Sequence, residues 1–176
     1  MSSFPFKHIC VIGTSGSGKT TFARVLAEKI GGDHIELDAL YHGPNWSEPT
    51  EEEFTARIRN AMKSERWIID GNYISRASQL QYADLIVWLD YSFVRVLSRI
   101  ARRTLKRLIT NEELWNGNKE SWRLALTKNG MIYWVLHTYS RRRREFPVML
   151  SSKYSHIAQQ RFQRPRDADE WLRSIS

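Results

Sequence analysis

Eight consecutive residues near the start of the chain have the types and the spacing needed to hold phosphate groups. They fit the pattern G-x-x-x-x-G-K-[ST] without a mismatch: Gly13, Thr14, Ser15, Gly16, Ser17, Gly18, Lys19 and Thr20. Glycines let backbone N–H groups converge on phosphate oxygens where a side chain would collide with them. In such a loop the lysine reaches the β- and γ-phosphates, and the last hydroxyl binds Mg²⁺. The motif predicts a site for ATP and Mg²⁺, with Lys19 as a catalytic residue and Thr20 as a metal ligand.

The segments on both sides of the loop are those that this motif requires. Residues 8–12 form a short apolar run that predicts a buried strand, and residues 21–30 place apolar side chains at helical spacing. Strand, loop and helix thus follow in the required order, and the start of the helix adds a favourable dipole for phosphate. We expect Thr21, in the first turn of this helix, to complete the triphosphate site.

Three further apolar runs each end at or next to an aspartate: Asp38, Asp70 and Asp90. Because the carboxyl ends of parallel strands meet at the ligand crevice, these carboxylates are expected near the phosphates. We predict that Asp70 holds Mg²⁺ through a water together with Thr20, and that Asp38 binds the acceptor or acts as general base on its hydroxyl. An aspartate at a strand end also caps turns and helices, and this alternative is strongest for Asp90.

Strand-like and helix-like segments alternate along the chain, which is typical of a parallel sheet flanked by helices. We predict an α/β fold with five parallel strands, the fifth at residues 157–162. Helices are predicted at residues 50–64, 92–109, 119–127, 131–144 and 167–175. With 176 residues, of which 41% are hydrophobic, the chain is long enough to bury a core, and we expect one domain over residues 1–176.

The helix predicted at residues 92–109 has an apolar stripe and a basic opposite side. The stripe consists of Phe93, Leu97, Ile100, Ala101, Leu105 and Leu108. Positive charge is concentrated from this helix onward: residues 95–166 hold seventeen Lys or Arg against four Asp or Glu, whereas residues 1–94 hold nine against twelve. A basic block favours a polyanionic partner, either nucleic acid or the phosphates of ATP, although a solvated basic face remains open.

Several classes of protein are disfavoured by composition. The single cysteine, Cys10, lies within the first apolar run, so it forms no intramolecular disulfide and is expected to be buried. The first residues lack the apolar core of a signal peptide, and no apolar run approaches the length of a membrane span. We therefore expect a cytoplasmic protein without a membrane partner.

The loop, the segment 67–71, and the segment 85–90 followed by Arg99 and Arg103 together resemble adenylate kinase-type nucleotide kinases. In that family the first arginine stacks on adenine and the second contacts phosphates at the base of the lid. The resemblance implies a cofactor-binding and catalytic role for Arg99 and a catalytic role for Arg103. Further segments are similar to a bacterial branch labelled "DNA topology modulation" or FlaR-like proteins: residues 36–38, 67–73 and 114–118.

This chain departs from the adenylate kinase pattern where the acceptor binds. It has Leu37-Asp38 in place of the Thr-Gly-Asp that receives AMP, and Gly71-Asn72-Tyr73-Ile74 in place of Gly-Phe-Pro-Arg. An aspartate after the second strand is similar instead to shikimate and gluconate kinases, in which it handles the acceptor hydroxyl. The acceptor therefore stays open among nucleotides, nucleosides and small hydroxyl-bearing metabolites.

Residues 110–144 are predicted to form a mobile helical lid. The segment is long for a connection in a compact domain and leads into four consecutive arginines, of which we take Arg141 and Arg144 as candidate catalytic residues. A lid that closes over ATP excludes water and brings cations to the phosphates. The bland alternative is a solvated basic helix end.

Two alternatives to a phosphotransferase remain. One is a nucleic-acid-binding regulator in which aromatic residues stack on bases: Trp115, Trp122, Tyr133 and Trp134. Because Trp122, Tyr133 and Trp134 fit the apolar pattern of helices, we expect most of these rings in the core. The other is an ATPase switch without an acceptor. The chain lacks the Asn-Lys-x-Asp segment that reads guanine, which disfavours a GTPase.

Overall fold

The computed structural model describes residues 4–73, 79–119 and 130–175, and within them five strands form one parallel sheet. The strands are β1 (His8–Gly13), β2 (Asp33–Glu36), β3 (Trp67–Asp70), β4 (Leu85–Leu89) and β5 (Ala158–Phe162). Their order across the sheet is β2-β3-β1-β4-β5, and every neighbouring pair is parallel. The predicted α/β fold with a parallel five-stranded sheet flanked by helices is confirmed.

The helices lie on both sides of this sheet. Those described are α1 (Lys19–Ile30), α2 (Leu37–Tyr41), α3 (Glu51–Ala61), α4 (Phe93–Thr110), α5 (Met131–Ser152) and α6 (Pro165–Ser174). Short 3₁₀ turns lie at Pro44–Trp46, Gln79–Tyr82 and Trp115–Gly117. None of the helices in the described ranges has both the length and the apolar character of a membrane span.

Each face of the sheet carries its own apolar core. Along β1, Ile9 and Val11 point into one core with α1 and α4, and Cys10 and Ile12 point into the other with α3. Successive side chains of a strand point to opposite faces, so a strand covered on both faces is apolar throughout. This explains why uninterrupted apolar runs identified the central strands. Cys10 is buried as predicted, and burial raises the pKa of its thiol far above the usual range.

The second strand ends earlier than predicted. β2 stops at Glu36, and Asp38 lies in the first turn of α2 rather than at the end of the strand. The chain turns here because Leu37 is fully buried and packs directly on Gly71, where an added Cβ would lie 2.7 Å from the Leu37 Cβ. The turn into a helix gives Asp38 a different direction from that of a strand residue.

Helix α4 buries Ile100 of the predicted stripe together with two residues outside it. Val96, Ile100 and Thr104 are buried, whereas Leu105 is 51% exposed. The reason is that α4 packs on the phosphate loop: a Cβ at Gly16 would lie 2.6 Å from Ile100 Cγ1 and 3.0 Å from the Val96 carbonyl oxygen. The loop, and not the hydrophobicity pattern alone, therefore determines which side of α4 faces inward.

The segment predicted as a helical lid consists of parts that differ in kind. Residues 131–144 begin α5, in which Val135 is fully buried and the Tyr139 hydroxyl donates to the Tyr91 carbonyl oxygen over 3.0 Å. Val135 and Tyr139 belong to the core, whereas most other residues of this half of α5 are exposed or half-buried. The mobility of the lid stays a prediction. Residues 111–119 form a loop with one 3₁₀ turn, and the helix predicted at residues 119–127 falls almost wholly outside the described residues.

Candidate active site

The phosphate loop joins β1 to α1 along a path that requires glycine. Gly16 and Gly18 have φ angles of +85° and +91°, which are strained for residues with a Cβ. The Ser17 N–H donates to the Thr14 carbonyl oxygen over 3.0 Å and closes a tight turn directly before the helix. Strand, loop and helix thus follow one another as the motif predicts.

The loop presents polar groups that suit a triphosphate. Ser17 Oγ is buried and has no hydrogen-bond partner among the described residues. Lys19 is the first residue of α1, and its N-cap Gly18 offers no side chain to satisfy the first N–H groups of the helix. Phosphate oxygens are the natural partners of such donors at a helix start. The residues present therefore fit the predicted nucleotide.

Lys19 lies between carboxylates and arginines. Burial lowers the pKa of its ammonium group, and the nearby positive charges of Arg142 and Arg103 lower it further. The carboxylates of Asp70 and Asp38 act in the opposite direction. The electrostatic neighbourhood of Lys19 thus contains the predicted metal-site aspartate and the predicted acceptor aspartate together.

Thr20 and Asp70 meet as the magnesium prediction requires. The Thr20 hydroxyl donates to Asp70 Oδ1 over 3.1 Å and lies 3.4 Å from Glu36 Oε1. Asp70 is 2% exposed, and its Oδ2 lies 2.7 Å from His34 Nε2. Hard oxygen donors of this kind suit Mg²⁺, which typically binds one or two protein groups together with phosphates and waters.

Glu36 and His34 are site residues that sequence reasoning missed. They come from β2 and reach the carboxyl end of β3 because the two strands pair in register, with His34 opposite Ile68 and Glu36 opposite Asp70. Burial and the adjacent carboxylates raise the pKa of Glu36, while a hydrogen bond from the Trp115 side chain opposes this shift. The available signal was the alternation of polar residues in His34-Ile35-Glu36, which places both on one face of the strand.

Asn72 fastens the start of the phosphate loop and was also missed. Its side-chain amide donates to the Gly13 carbonyl oxygen over 2.6 Å and accepts from the Gly13 N–H over 3.2 Å. The two hydrogen bonds continue the β1–β3 ladder one step beyond the end of β3. The position of Asn72 after Asp70-Gly71 was visible in the sequence, but its partner was not.

Asp38 faces the site with one hydrogen bond already made. The Tyr73 hydroxyl donates to Asp38 Oδ1 over 2.8 Å. Burial and the carboxylate raise the pKa of Tyr73 beyond its usual range, so the phenol stays protonated and remains a donor. Asp38 Oδ2 has no hydrogen-bond partner within residues 4–73, 79–119 and 130–175.

The predicted arginines of α4 lie over the phosphate loop. Arg99 Nη1 donates to the Ser17 carbonyl oxygen over 3.1 Å, and its guanidinium lies 5.8 Å from the centre of the Tyr91 ring. Arg99, Arg103 and Arg107 follow one another at intervals of four residues and line one cavity. Arg107, which lies 3.8 Å from Glu112, is a further cation that the sequence did not single out.

This cavity has a volume of about 1300 Å³ and contains most of the predicted site. That volume is above the roughly 300–1,000 Å³ of common ligand pockets. Its lining includes Ser15, Gly16, Ser17, Gly18, Lys19, Thr20, Thr21, Glu36, Asp38, Arg99 and Arg103.

The arginine run of α5 does not converge on the cavity as predicted. Arg141 is exposed and lies 3.8 Å from Glu145, and Arg144 is exposed. Arg143 lies 3.5 Å from Asp90, whose other oxygen accepts from Arg161. Asp90 is therefore held in ion pairs at the end of β4, a role that neither the phosphate-site prediction nor the capping alternative described. The arginine of the run that neighbours Lys19 and Asp38 is Arg142.

The loop after α4 crosses the site and rests on the segment after α2. Asn118 is 4% exposed; its amide donates to the Gly43 carbonyl oxygen over 2.9 Å and accepts from the Trp46 N–H over 2.8 Å. The Trp115 ring stacks on His42 at 5.9 Å between centroids. The Trp115 side chain also donates a hydrogen bond to Glu36. The loop therefore covers the region around Thr20 and Glu36.

Comparisons with known proteins agree with this geometry. The model of the family "ATPase family associated with various cellular activities (AAA)" matches residues 9–71, which contain the phosphate loop and β3. A probable gluconokinase from Schizosaccharomyces pombe is 48% identical over 42 residues, which are 23% of this chain and 22% of that protein. The match thus spans about a fifth of the length of this curated relative.

The whole fold is similar to solved kinase structures. Shikimate kinase from Bacteroides thetaiotaomicron superposes with a TM-score of 0.57 at 12% identity, covering 96% of each chain. Deoxyadenosine kinase from M. mycoides with bound dATP gives a TM-score of 0.52 at 15% identity, covering 94% of this chain and 97% of that one. These likenesses show that the chain has the same fold as these kinases.

Proposed function

We propose that this protein is an ATP- and Mg²⁺-dependent phosphotransferase that acts on a hydroxyl group of a small metabolite, a nucleoside or a nucleotide. One observation carries the proposal: Asp38 lines the same cavity as Lys19, and no described residue forms a hydrogen bond with its Oδ2. A nucleotide-binding loop alone needs no second carboxylate at this place, whereas transfer to a hydroxyl needs a group that accepts its proton.

The site residues have separate roles in the proposed phosphoryl transfer. Lys19 and the loop amides hold the β- and γ-phosphates, and Thr20 with Asp70 would hold Mg²⁺, which neutralises phosphate charge when bound. The acceptor hydroxyl oxygen forms a bond to the γ-phosphorus, the bond from that phosphorus to the β–γ bridging oxygen breaks, and ADP leaves. The hydroxyl proton passes to Asp38. Arg103 stabilises the negative charge on the transferring group.

Three observations support this proposal. The similar solved structures include kinases of small hydroxyl compounds, and the curated relative is a probable gluconokinase. Arg99 lies beside the Tyr91 ring and donates to the Ser17 carbonyl oxygen of the loop, which supports the base-stacking role that we propose for it. We also propose that the protein is related to adenylate kinases and to their FlaR-like bacterial branch. A cytoplasmic location is part of the same proposal.

The test screens candidate acceptors with the wild-type protein and then compares the wild type with one variant. Wild-type protein with Mg²⁺ and ATP is offered sugar acids, nucleosides and nucleoside monophosphates, and new phosphate esters are detected by mass spectrometry. Asp38→Asn is expected to reduce transfer at least 100-fold while ATP affinity changes less than threefold, because general-base help is worth about 10²–10⁴. Asp33→Asn, on the exposed first residue of β2, serves as matched control.

Two results would contradict the proposal. ATP hydrolysis that no acceptor changes would make the protein an ATPase switch. Loss of ATP affinity in Asp38→Asn with an unchanged acceptor KM would assign Asp38 to the metal site instead.

Nucleic-acid binding is a second candidate, favoured by one feature of α5. Trp134 is 47% exposed, contrary to its predicted place in the core, and exposed Arg141 and Arg144 follow on the same helix. Stacking on an aromatic ring and phosphate contacts are the usual means of binding single strands. If this surface binds nucleic acid, oligonucleotide affinity falls steeply as salt increases.

A further inference from the structure

Arg142 differs from the other arginines of its run. Arg141 and Arg143 have carboxylate partners, Glu145 and Asp90. Arg142 forms no salt bridge with any described residue, and its Nη1 atom is buried without a hydrogen-bond partner among the described residues. An arginine has five N–H donors, and leaving one buried and unsatisfied is unfavourable. The Nη1 group of Arg142 therefore needs a hydrogen-bond acceptor that the described residues do not supply.

Electrostatic interactions connect Arg142 with the residues proposed to bind the acceptor. Its electrostatic neighbours include Asp38 and Tyr73, the hydrogen-bonded pair at the start of α2, and its charge is felt at Lys19. Burial is the main reason that the pKa of Arg142 is lowered to about 10, with the Arg141 charge as the next cause. The guanidinium lies 5.8 Å from the centre of the Trp134 ring, a contact that holds its plane without using an N–H donor.

Charge balance indicates what Arg142 binds. A half-buried cation with a free donor is stabilised when an anion arrives, and guanidinium groups pair with carboxylate and phosphate through two parallel hydrogen bonds. The phosphates of ATP have Lys19 and the arginines of α4 on their side of the cavity. Arg142 comes from another element, α5, and neighbours the proposed general base.

We propose that the acceptor is an anionic hydroxyl compound whose carboxylate or phosphate group is held by Arg142 while its hydroxyl faces Asp38. This rests on the proposed function, since it specifies the acceptor of the same reaction. Arg142 then determines specificity: a neutral compound of the same shape leaves the buried guanidinium unsatisfied.

The experiment measures acceptor binding with the nucleotide site already filled. Wild-type protein is saturated with Mg²⁺ and a non-hydrolysable ATP analogue, and calorimetry then compares gluconate with glucose and AMP with adenosine. One anionic probe is expected to bind at least tenfold more tightly than its neutral counterpart. Arg142→Met should weaken that probe about 10- to 100-fold, the usual range for a charge-assisted hydrogen bond. The neutral compound and the affinity for the ATP analogue should change less than threefold.

Further variants make the result specific. Arg142→Lys keeps the charge but not the planar fork, so it should recover only part of the affinity. Arg166→Met removes an 84% exposed side chain on α6 and should bind the probes like wild type. Thermal unfolding is recorded for each variant, and Arg142→Gln replaces Arg142→Met if the latter does not fold.

Three outcomes would overturn the inference. They are equal binding of anionic and neutral probes, unchanged anion affinity in the variants of Arg142, and a loss of affinity confined to the ATP analogue. Phosphorylation assays on the same pairs of compounds distinguish a failure of this inference from a failure of the proposed function. If wild type phosphorylates the neutral compound as well as its anionic counterpart, or Arg142→Met phosphorylates the anionic compound as well as wild type does, the inference fails and the function stands. If anions bind through Arg142 but no compound is phosphorylated, the function fails.

Discussion

Asp70 is held at both carboxylate oxygens by side chains from two different elements. Thr20 of α1 donates to Oδ1, and His34 of β2 contacts Oδ2. A carboxylate fixed in this way keeps its orientation without a bound ion, which favours rapid and geometrically uniform binding of Mg²⁺. His34 thus acts as a positioning residue behind the predicted metal ligand.

Replacing Asp70 by asparagine should raise the magnesium requirement. The amide keeps the size of the side chain but lacks the negative charge that holds metal-bound water. We expect the Mg²⁺ concentration for half-maximal activity to increase about tenfold or more in Asp70→Asn, measured by titration at saturating ATP.

Asp90→Asn is the matched control for this change, because Asp90 is also a buried aspartate at a strand end but pairs with Arg161 and Arg143. Its magnesium titration should match wild type although its stability falls. A shifted magnesium titration in Asp90→Asn, or an unshifted one in Asp70→Asn, would exclude Asp70 from the metal site.

At the level of elements, the covering loop and the acceptor segment are tied to each other. We call residues 113–119 the covering loop and residues 39–47 the acceptor segment. Side chains of Asn116 and Asn118 donate to carbonyl oxygens of His42 and Gly43, at 2.5 and 2.9 Å. Because the acceptor segment begins directly after Asp38, opening the covering loop also frees the neighbours of the proposed base.

Asn118→Ala should therefore loosen both segments at once. It removes the acceptor of the Trp46 N–H and two donated hydrogen bonds, at Gly43 and Trp115. Leaving such groups unpaired costs about 1–3 kcal/mol, so hydrogen exchange should become faster about 5- to 100-fold in both segments. Exchange is measured by mass spectrometry of peptides from each.

The control is Thr110→Ala, whose hydroxyl donates only within α4, to the Lys106 carbonyl oxygen. It should leave exchange in both segments unchanged. Adding Mg²⁺ and a non-hydrolysable ATP analogue to wild type should slow exchange in the covering loop, since Trp115 lies beside Glu36 and Thr20, and have little effect on α5. Faster exchange in the covering loop alone would show that the two segments open independently.

Across the whole molecule, α5 connects the site to both cores. Its first half places Val135 and Tyr139 in the core on one face of the sheet, and its second half places Phe146 and Leu150 in the core on the other face. Arg142 lies between these halves. A helix anchored at both ends in this way holds its guanidinium in a fixed place, as a specificity residue requires.

A pair of leucines on α5 tests this anchoring. Leu150 is 4% exposed and Leu136 is 47% exposed. Leu150→Ala should lower the free energy of unfolding by about 2–5 kcal/mol, whereas Leu136→Ala should change it by less than about 1 kcal/mol. Denaturant unfolding measures both. Equal effects would mean that the second half of α5 does not contribute to the core.

Local pattern was sufficient for the phosphate loop and the sheet. Gly16, Gly18, Lys19 and Thr20 are adjacent in the chain, and their geometry depends on the strand and helix that flank them directly. Strands buried on both faces are apolar throughout, so β1, β3 and β4 were recognisable without knowledge of their neighbours. The types and spacing of neighbouring residues were therefore sufficient to identify the phosphate loop and these strands.

Tertiary structure alone decided which distant side chains meet. Asn72 reaches Gly13 because β3 lies beside β1, and His34 reaches Asp70 because β2 lies beside β3. The rotation of α5 turns Arg142 inward and leaves Arg141 and Arg144 exposed. Arg142 shares a helix face with the buried Val135, Tyr139 and Phe146, and the packing of α5 shows that this face is the inward one.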